Sequence, residues 1–168
     1  MSNTPAHGDF QLRKASIRAD LTAAQEALGN TLADVAERWS QAGPSQDWTV
    51  RDLLAHLAWA EVGHLGSLKR MSSGQGGVPA DFDPDRWNAG QQRRSADLDV
   101  DALRGRLEAA HAEMLDVLDG LSESELGQSG HLAVGGEGTV EDLCRLVASH
   151  KREHIQELRV ALETPRPA

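Results

Sequence analysis

The run SHKREHIQEL, residues 149–158, holds the side chains best suited to chemistry. His150 and His154 stand four apart. In a helix that spacing sets them about 40° apart in azimuth and about 6 Å apart along the axis, so the rings project side by side. They fall on the stripe Val140, Leu143, Val147, His150, His154, Leu158 and Ala161, where steps of three and four call for apolar side chains facing a core. Two imidazoles placed there bring four ring nitrogens that need partners. A lone core histidine is usually satisfied by a hydrogen bond. A pair at this spacing is better satisfied by one shared metal ion, because neutral imidazole is a ligand for zinc, nickel, copper and iron.

A third ligand is available in WTVRDLLAHLAWAEVGHLGSLKRM, residues 48–71. Its stripe is Val50, Leu53, Leu54, Leu57, His64, Leu68 and Met71. His64 lies in the middle of that stripe, and His56 lies on its flank beside Leu53 and Ala60. Azimuth alone favours His64.

The other candidates have weaker claims. Glu153 completes H-x-x-E-H, the inverted zinc-protease pattern. Such enzymes need a further carboxylate on a distant downstream element, and only 14 residues follow His154, so that reading is set aside. Glu153 is then an acid or base beside the histidines, or a solvated flank residue. Glu157, three beyond His154, points back toward the histidine face. It would orient a ligand or pair with an arginine. Trp59, three after His56, and Trp87 with Asn88 are candidate pocket walls; Trp87 serves equally well as a packing anchor. His131 is a loop acid or base, or a solvated loop histidine. Cys144 lies about 120° around the helix from His150 and is expected to be neither ligand nor nucleophile. His7 and His111 read as tail and surface residues.

These side chains need helices to position them. The first helical pattern spans about residues 9–40, with Ile17, Leu21, Ala24, Leu28, Leu32, Val35 and Trp39 as its stripe. Gly29 and Asn30 are expected to weaken or bend it. The second starts at a capping pair, Thr49 with Asp52, and ends near SSGQGG. Residues 72–98 form a long connection with a short helix over Trp87 to Arg94, a length more typical of functional loops than of plain connectors. The third helix runs from about Asp99 to Leu121 on Leu103, Leu107, Ala110, Met114, Val117 and Leu121. A glycine-rich loop, GQSGHLAVGGEG, follows. The fourth helix starts near Thr139, with Asp142 three on, and stops before Pro165 and Pro167. The expectation is an all-α, up-down-down-up type four-helix bundle with a long crossover between helices two and three. It forms a single domain over 1–168, its core about 10–163.

The bulk properties exclude several partners. The 168-residue chain carries a net charge of -9 and a pI of about 5.2, so no basic face is available for nucleic acid. No window approaches the roughly 20 apolar residues of a membrane span. A single cysteine and the absence of a signal-like start fit a cytoplasmic protein. The acidic DFDPD lacks the glycine and distal glutamate of a calcium loop.

DWTVRDLLAHLAWAE resembles the second-helix signature of the DinB-like four-helix proteins: a tryptophan, a helix cap, then Leu-Leu-x-His-Leu. HKREHIQEL is similar to their fourth-helix motif. DRWNAGQQRRSADLDVDALRGRLEAAHAEMLDVLDGL looks like the Trp-Asn and following helix of the DfsB-like and mycothiol-dependent maleylpyruvate isomerase-like branches. The resemblance covers about residues 12–162. It implies a metal triad of His56, His150 and His154, holding nickel or zinc with water in the open positions; His64 stays the rival third ligand on azimuth. It also implies a homodimer, and a metal-dependent hydrolase or thiol-dependent transferase acting on a small electrophilic molecule. Mycothiol, bacillithiol or glutathione would be the thiol co-substrate. The alternative it implies is a non-catalytic metal-binding protein of the stress response that sequesters a toxin.

Overall fold

The computed structural model describes residues 4–43 and 48–163, and the side chains from residue 8 onward within them. Among the described residues six helices and one hairpin follow in order: α1 (Thr4–Ala33), α2 (Val50–Ser72), α3 (Pro84–Arg94), α4 (Val100–Gly120), α5 (Glu123–Leu126), β1 (Ser129–His131), β2 (Glu137–Thr139) and α6 (Val140–Glu163). The starts of α2, α4 and α6 are those the sequence marks, whereas α1 begins earlier, at Thr4, and α3 at Pro84. Thr49 and Asp52 form a reciprocal capping box at α2. At α6, Asp142 Oδ2 accepts from both the backbone N–H (2.8 Å) and the hydroxyl (2.7 Å) of Thr139. These bonds hold the Asp142 carboxyl below its usual range.

Cross-helix pairs give the directions. Near the start of α1, Arg13 meets Glu141 of α6 (3.5 Å), and further along Asp20 pairs with Arg152, so these helices run together. On α2 and α4, Arg106 covers the Trp59 ring (4.1 Å) and Lys69 pairs with Glu113 beyond it, again in one direction. The end of α4 meets the first half of α1 through Arg18 and Asp119 (2.8 Å). On α2 and α6 the order reverses: His56 faces His150 and His154, and His64 faces His150. The four long helices therefore run up, down, down, up, as the sequence implies, and the segment from Ser73 to Asp99, including α3, is the crossover.

α1 runs unbroken through Gly29 and Asn30, which lie on its exposed flank while Leu28 and Leu32 on either side stay buried. Two local expectations need correction. α1 ends at Ala33, not Ser40: turns follow, and Ala36 takes a left-handed φ of 49° that leaves the helix. The glycine-rich loop folds as a hairpin, with Ser129 paired to Thr139, Gly130 to Gly138 and His131 to Glu137.

Candidate metal centre

The apolar core comes in two clusters. One is built around Ile17, Leu21, Leu68, Met114 and Val147, and the other around Leu28, Leu54, Leu107, Ile155 and Leu158. Between them α2, α4 and α6 contribute polar side chains: Glu61 and His64, His111, and His150, Lys151 and His154. Desolvated polar groups are costly unless paired, so this layer must be read contact by contact.

His56, His150 and His154 converge. The Nε2 atoms of His56 and His154 lie 3.1 and 3.0 Å from Nε2 of His150. Their other nitrogens are committed. His56 Nδ1 faces Asn88 Oδ1 (3.1 Å), and His154 Nδ1 faces Glu157 Oε2 (2.7 Å). Both oxygens accept, so both Nδ1 atoms carry the proton and both Nε2 atoms present lone pairs. His150 Nε2 can donate at most one hydrogen. At least one buried lone pair is therefore left facing another. A cation placed among the three would engage them all, and the donor set fits a divalent ion of the zinc or nickel kind.

The electrostatics favour the neutral rings that coordination requires. Burial, with further depression from His154, holds His56 down at about 4. Burial and the neighbouring His154, His64 and His56 hold His150 down at about 2. The Trp48 ring, 5.2 Å from that of His56, completes the wall on one side.

His64 is placed differently. It is only 8 % exposed and its ring meets His150 edge-on at 5.5 Å, but it stands outside the convergent group. Its Nδ1 is buried with no hydrogen-bond partner among the described residues. Burial pushes its pKa down, opposed by the nearby Glu61 carboxylate.

Beside the histidines lies a network that the sequence stripe does not reveal. Lys151, 1 % exposed, places Nζ 2.7 Å from Oε1 of Glu61 (2 % exposed) and 2.9 Å from Nδ1 of His111. His111 Nδ1 is 3.1 Å from the same carboxylate oxygen. His111 is thus a buried residue (6 % exposed), not a surface one: it turns inward because two charged partners meet it there. Burial pulls the Glu61 carboxyl up, but His111 and Lys151 more than offset this and hold it below its usual range. The buried face of α6 runs through Cys144, Ala148, Lys151 and Ile155, one residue around from the stripe drawn through the histidines. His150 and His154 are consequently half-buried at the α2–α6 seam instead of central in the core. Seen from that seam, His56 on the flank of its stripe is well placed.

Comparison with known proteins follows this architecture. The family model of the DinB superfamily matches residues 20–158. The chain belongs to the DinB superfamily. A protein of Oceanobacillus iheyensis whose name calls it a candidate metal-dependent hydrolase is 24% identical over 133 residues, which cover 79% of this chain and 74% of that protein. The crystal structure of a mycothiol-dependent maleylpyruvate isomerase superposes with a TM-score of 0.70 at 17% identity, and a histidine-to-alanine variant of that isomerase superposes with 0.69 at 16%. The match covers 84% of this chain, which spans 60% of the isomerase's length. At that identity the likeness is one of fold.

In this DinB bundle a cleft of about 1260 Å³ opens on one side of the histidines. His56, His64 and His150 line it, together with α2 residues as far as Arg70, the crossover from Gln75 to Asn88 and the hairpin. Of the sequence candidates, Trp87, Asn88, His131 and Glu153 line this cleft. Trp87 packs so closely on α2 that a Cβ on Gly63 would lie 3.3 Å from its ring. His131 Nδ1 is 3.0 Å from Glu137 Oε1 across the hairpin, and the exposed Glu153 receives the Ser149 hydroxyl at 3.4 Å. Glu157 meets His154 as described. Trp59 turns elsewhere: its indole N–H donates to Ser95 Oγ (2.8 Å) and Arg106 covers its ring, so it anchors the end of α3. Cys144 is buried, and burial pushes its thiol up to about 12. His7 falls in the first turn of α1, where side chains lie outside the described residues. Sequence reasoning missed Trp48, Glu61, Arg70, Phe82 and Lys151. A signal existed for Lys151, which stands seven after Cys144 and four before Ile155, on the same helical face as both.

Proposed function

We propose that this DinB protein binds a divalent metal ion through His56, His150 and His154 and uses it on a small electrophilic molecule admitted by the cleft. The observation that carries the reading is the meeting of three imidazole Nε2 atoms, two with their lone pairs fixed inward by Asn88 and Glu157. When bound, such an ion acts as a Lewis acid and lowers the pKa of a coordinated water or thiol. The chain does the rest. Asn88 and Glu157 hold the ring tautomers, burial keeps His56 and His150 neutral, and Trp48 packs beside the His56 ring. The name of the Oceanobacillus relative supports a hydrolase, and that of the structural neighbour supports a low-molecular-weight thiol as co-substrate.

Metal analysis of protein purified without a histidine tag tests this. The expected result is close to one nickel or zinc per chain, lost in His56→Ala and retained in His64→Ala. Less than about 0.2 metal per chain, with melting unchanged by a chelator, would overturn it, since a metal held by the folded state must add stability. Retention in His56→Ala with loss in His64→Ala would move the third ligand to His64. Turnover of electrophiles with water or with a thiol assigns an enzyme; stoichiometric consumption without turnover assigns a sequestering protein.

A further inference from the structure

The cleft is long, and its far end is chemically unlike the histidine end. Arg70 is the one lysine or arginine among its lining residues. Its side chain reaches back along α2, as helical side chains do. Nη2 donates to Ser67 Oγ (3.1 Å), Nε donates to the Gly77 carbonyl (3.3 Å), and Nη1 lies over Gly66, 3.4 Å from where a Cβ would be. No carboxylate lies within ion-pair distance of it among the described residues. The two acidic residues of the cleft have other contacts, Glu137 with His131 and Glu153 with Ser149. Among the described residues Arg70 is therefore a cation held in place by two contacts, with no hydrogen bond at Nη1 and no partner charge. Guanidinium groups in this state suit carboxylate and phosphate oxygens.

The span is set by α2. From His56 to Gly66, where the guanidinium sits, is ten residues, a rise of about 15 Å. Val78, Pro79, Phe82, Trp87, Val134 and Leu146 give the cleft an apolar share of its lining, beside polar groups such as His64 and Ser149. The cleft volume exceeds the roughly 300–1,000 Å³ of ordinary small-molecule pockets.

We infer that the cleft takes an elongated organic anion: its reactive or thiol end at the histidines, an apolar middle along the crossover and hairpin, and a terminal carboxylate or phosphate on Arg70. The head-group position rests on the metal reading above, and the anionic anchor does not.

Mercaptoundecanoate, mercaptopropionate and the uncharged mercaptoundecanol are the probes, titrated calorimetrically into metal-loaded and metal-free protein whose metal content is measured. The long acid binds roughly fivefold or more tightly than the long alcohol, as expected for a rim-exposed charge-assisted pair. Arg70→Gln abolishes that margin and leaves the alcohol unchanged, while the short acid, unable to reach, is insensitive to Arg70→Gln. Equal binding of acid and alcohol, a margin that survives Arg70→Gln, or metal-loaded protein that binds no long probe overturns the anchor. An Arg70-dependent margin, with the affinity of both long thiols unchanged on removal of the metal, upholds the anchor and counts against the metal reading alone. Arg70 is exposed and far from the core, so Arg70→Gln is expected to fold; an unchanged melting temperature confirms this.

Discussion

Glu157 Oε2 stands 2.7 Å from Nδ1 of His154, one turn along α6, and so fixes which nitrogen of His154 turns its lone pair toward His150. Without that carboxylate the ring would sample both tautomers and rotate. Glu157→Ala is expected to weaken metal binding roughly tenfold to a hundredfold, the usual effect of losing a group that orients a ligand, with saturating stoichiometry unchanged. Glu153→Ala, on the exposed side of the same helix, is expected to leave affinity within about twofold. Competition against a chromogenic chelator measures both. Equal effects of the two substitutions would remove the orienting role from Glu157.

The Glu61–Lys151–His111 network pins three helices beside the histidine triad, and its members have almost no contact with water. Removing one charge of such a pair leaves the other desolvated and unpaired, at a cost of about 3–5 kcal/mol. Glu61→Leu and Lys151→Met should each destabilise by about that much, and the double variant by clearly less than their sum. Denaturant unfolding across the double-mutant cycle gives the coupling. Additive losses would mean that the contact does not hold the helices.

Acid should destabilise the metal-free protein. His56 and His150 titrate at about 4 and about 2 in the fold, against 6.5 in the unfolded chain. Below 6.5 the unfolded state takes up their protons and the folded state does not. Stability therefore falls as pH drops from about 6.5 to about 4 for His56, and continues falling toward about 2 for His150, by at most about 1.4 kcal/mol per pH unit for each. Glu61, with its lowered carboxyl, adds a loss of the same sign at lower pH. Unfolding free energies between about pH 7 and about pH 5 should drop steeply in the wild-type chain and less in His150→Leu. A slope that does not differ between the two would contradict burial of a neutral His150.

Much of this is legible in the chain. The capping pairs Thr49–Asp52 and Thr139–Asp142 mark two helix starts, and the apolar steps give the four long helices and their order. The histidine pair on α6 is visible from its spacing. The choice between His56 and His64 is not, because azimuth on one helix says nothing about where the partner helix crosses it. α2 meets α6 at its flank, which brings His56 to the pair and leaves His64 beside it. Lys151 and His111 are hidden for a related reason: a charged or polar side chain reads as solvated until its partners on neighbouring helices are known. The hairpin is equally hard to see, because three-residue strands carry too few side chains to alternate.

Two glycines should respond to alanine in opposite ways. A Cβ on Gly77 would lie 1.9 Å from the His131 carbonyl oxygen, the same oxygen that accepts from Val78 N–H at 2.9 Å. The crossover and the hairpin touch there backbone to backbone, and no rotamer change can relieve the overlap. Gly77→Ala is expected to cost about 1–3 kcal/mol or more and to separate the crossover from the hairpin. That would also open the cleft wall they form together. Gly105, on the exposed face of α4 in its second turn, has nothing within 4 Å of where a methyl group would sit. Gly105→Ala should stabilise by about 0.5–1 kcal/mol, because alanine gives up less backbone freedom in a helix. Thermal melting separates the two, and hydrogen exchange at Val78 reports the crossover directly. If Gly77→Ala melted like the wild-type chain with Val78 still protected, the close contact between Gly77 and His131 would not exist in solution.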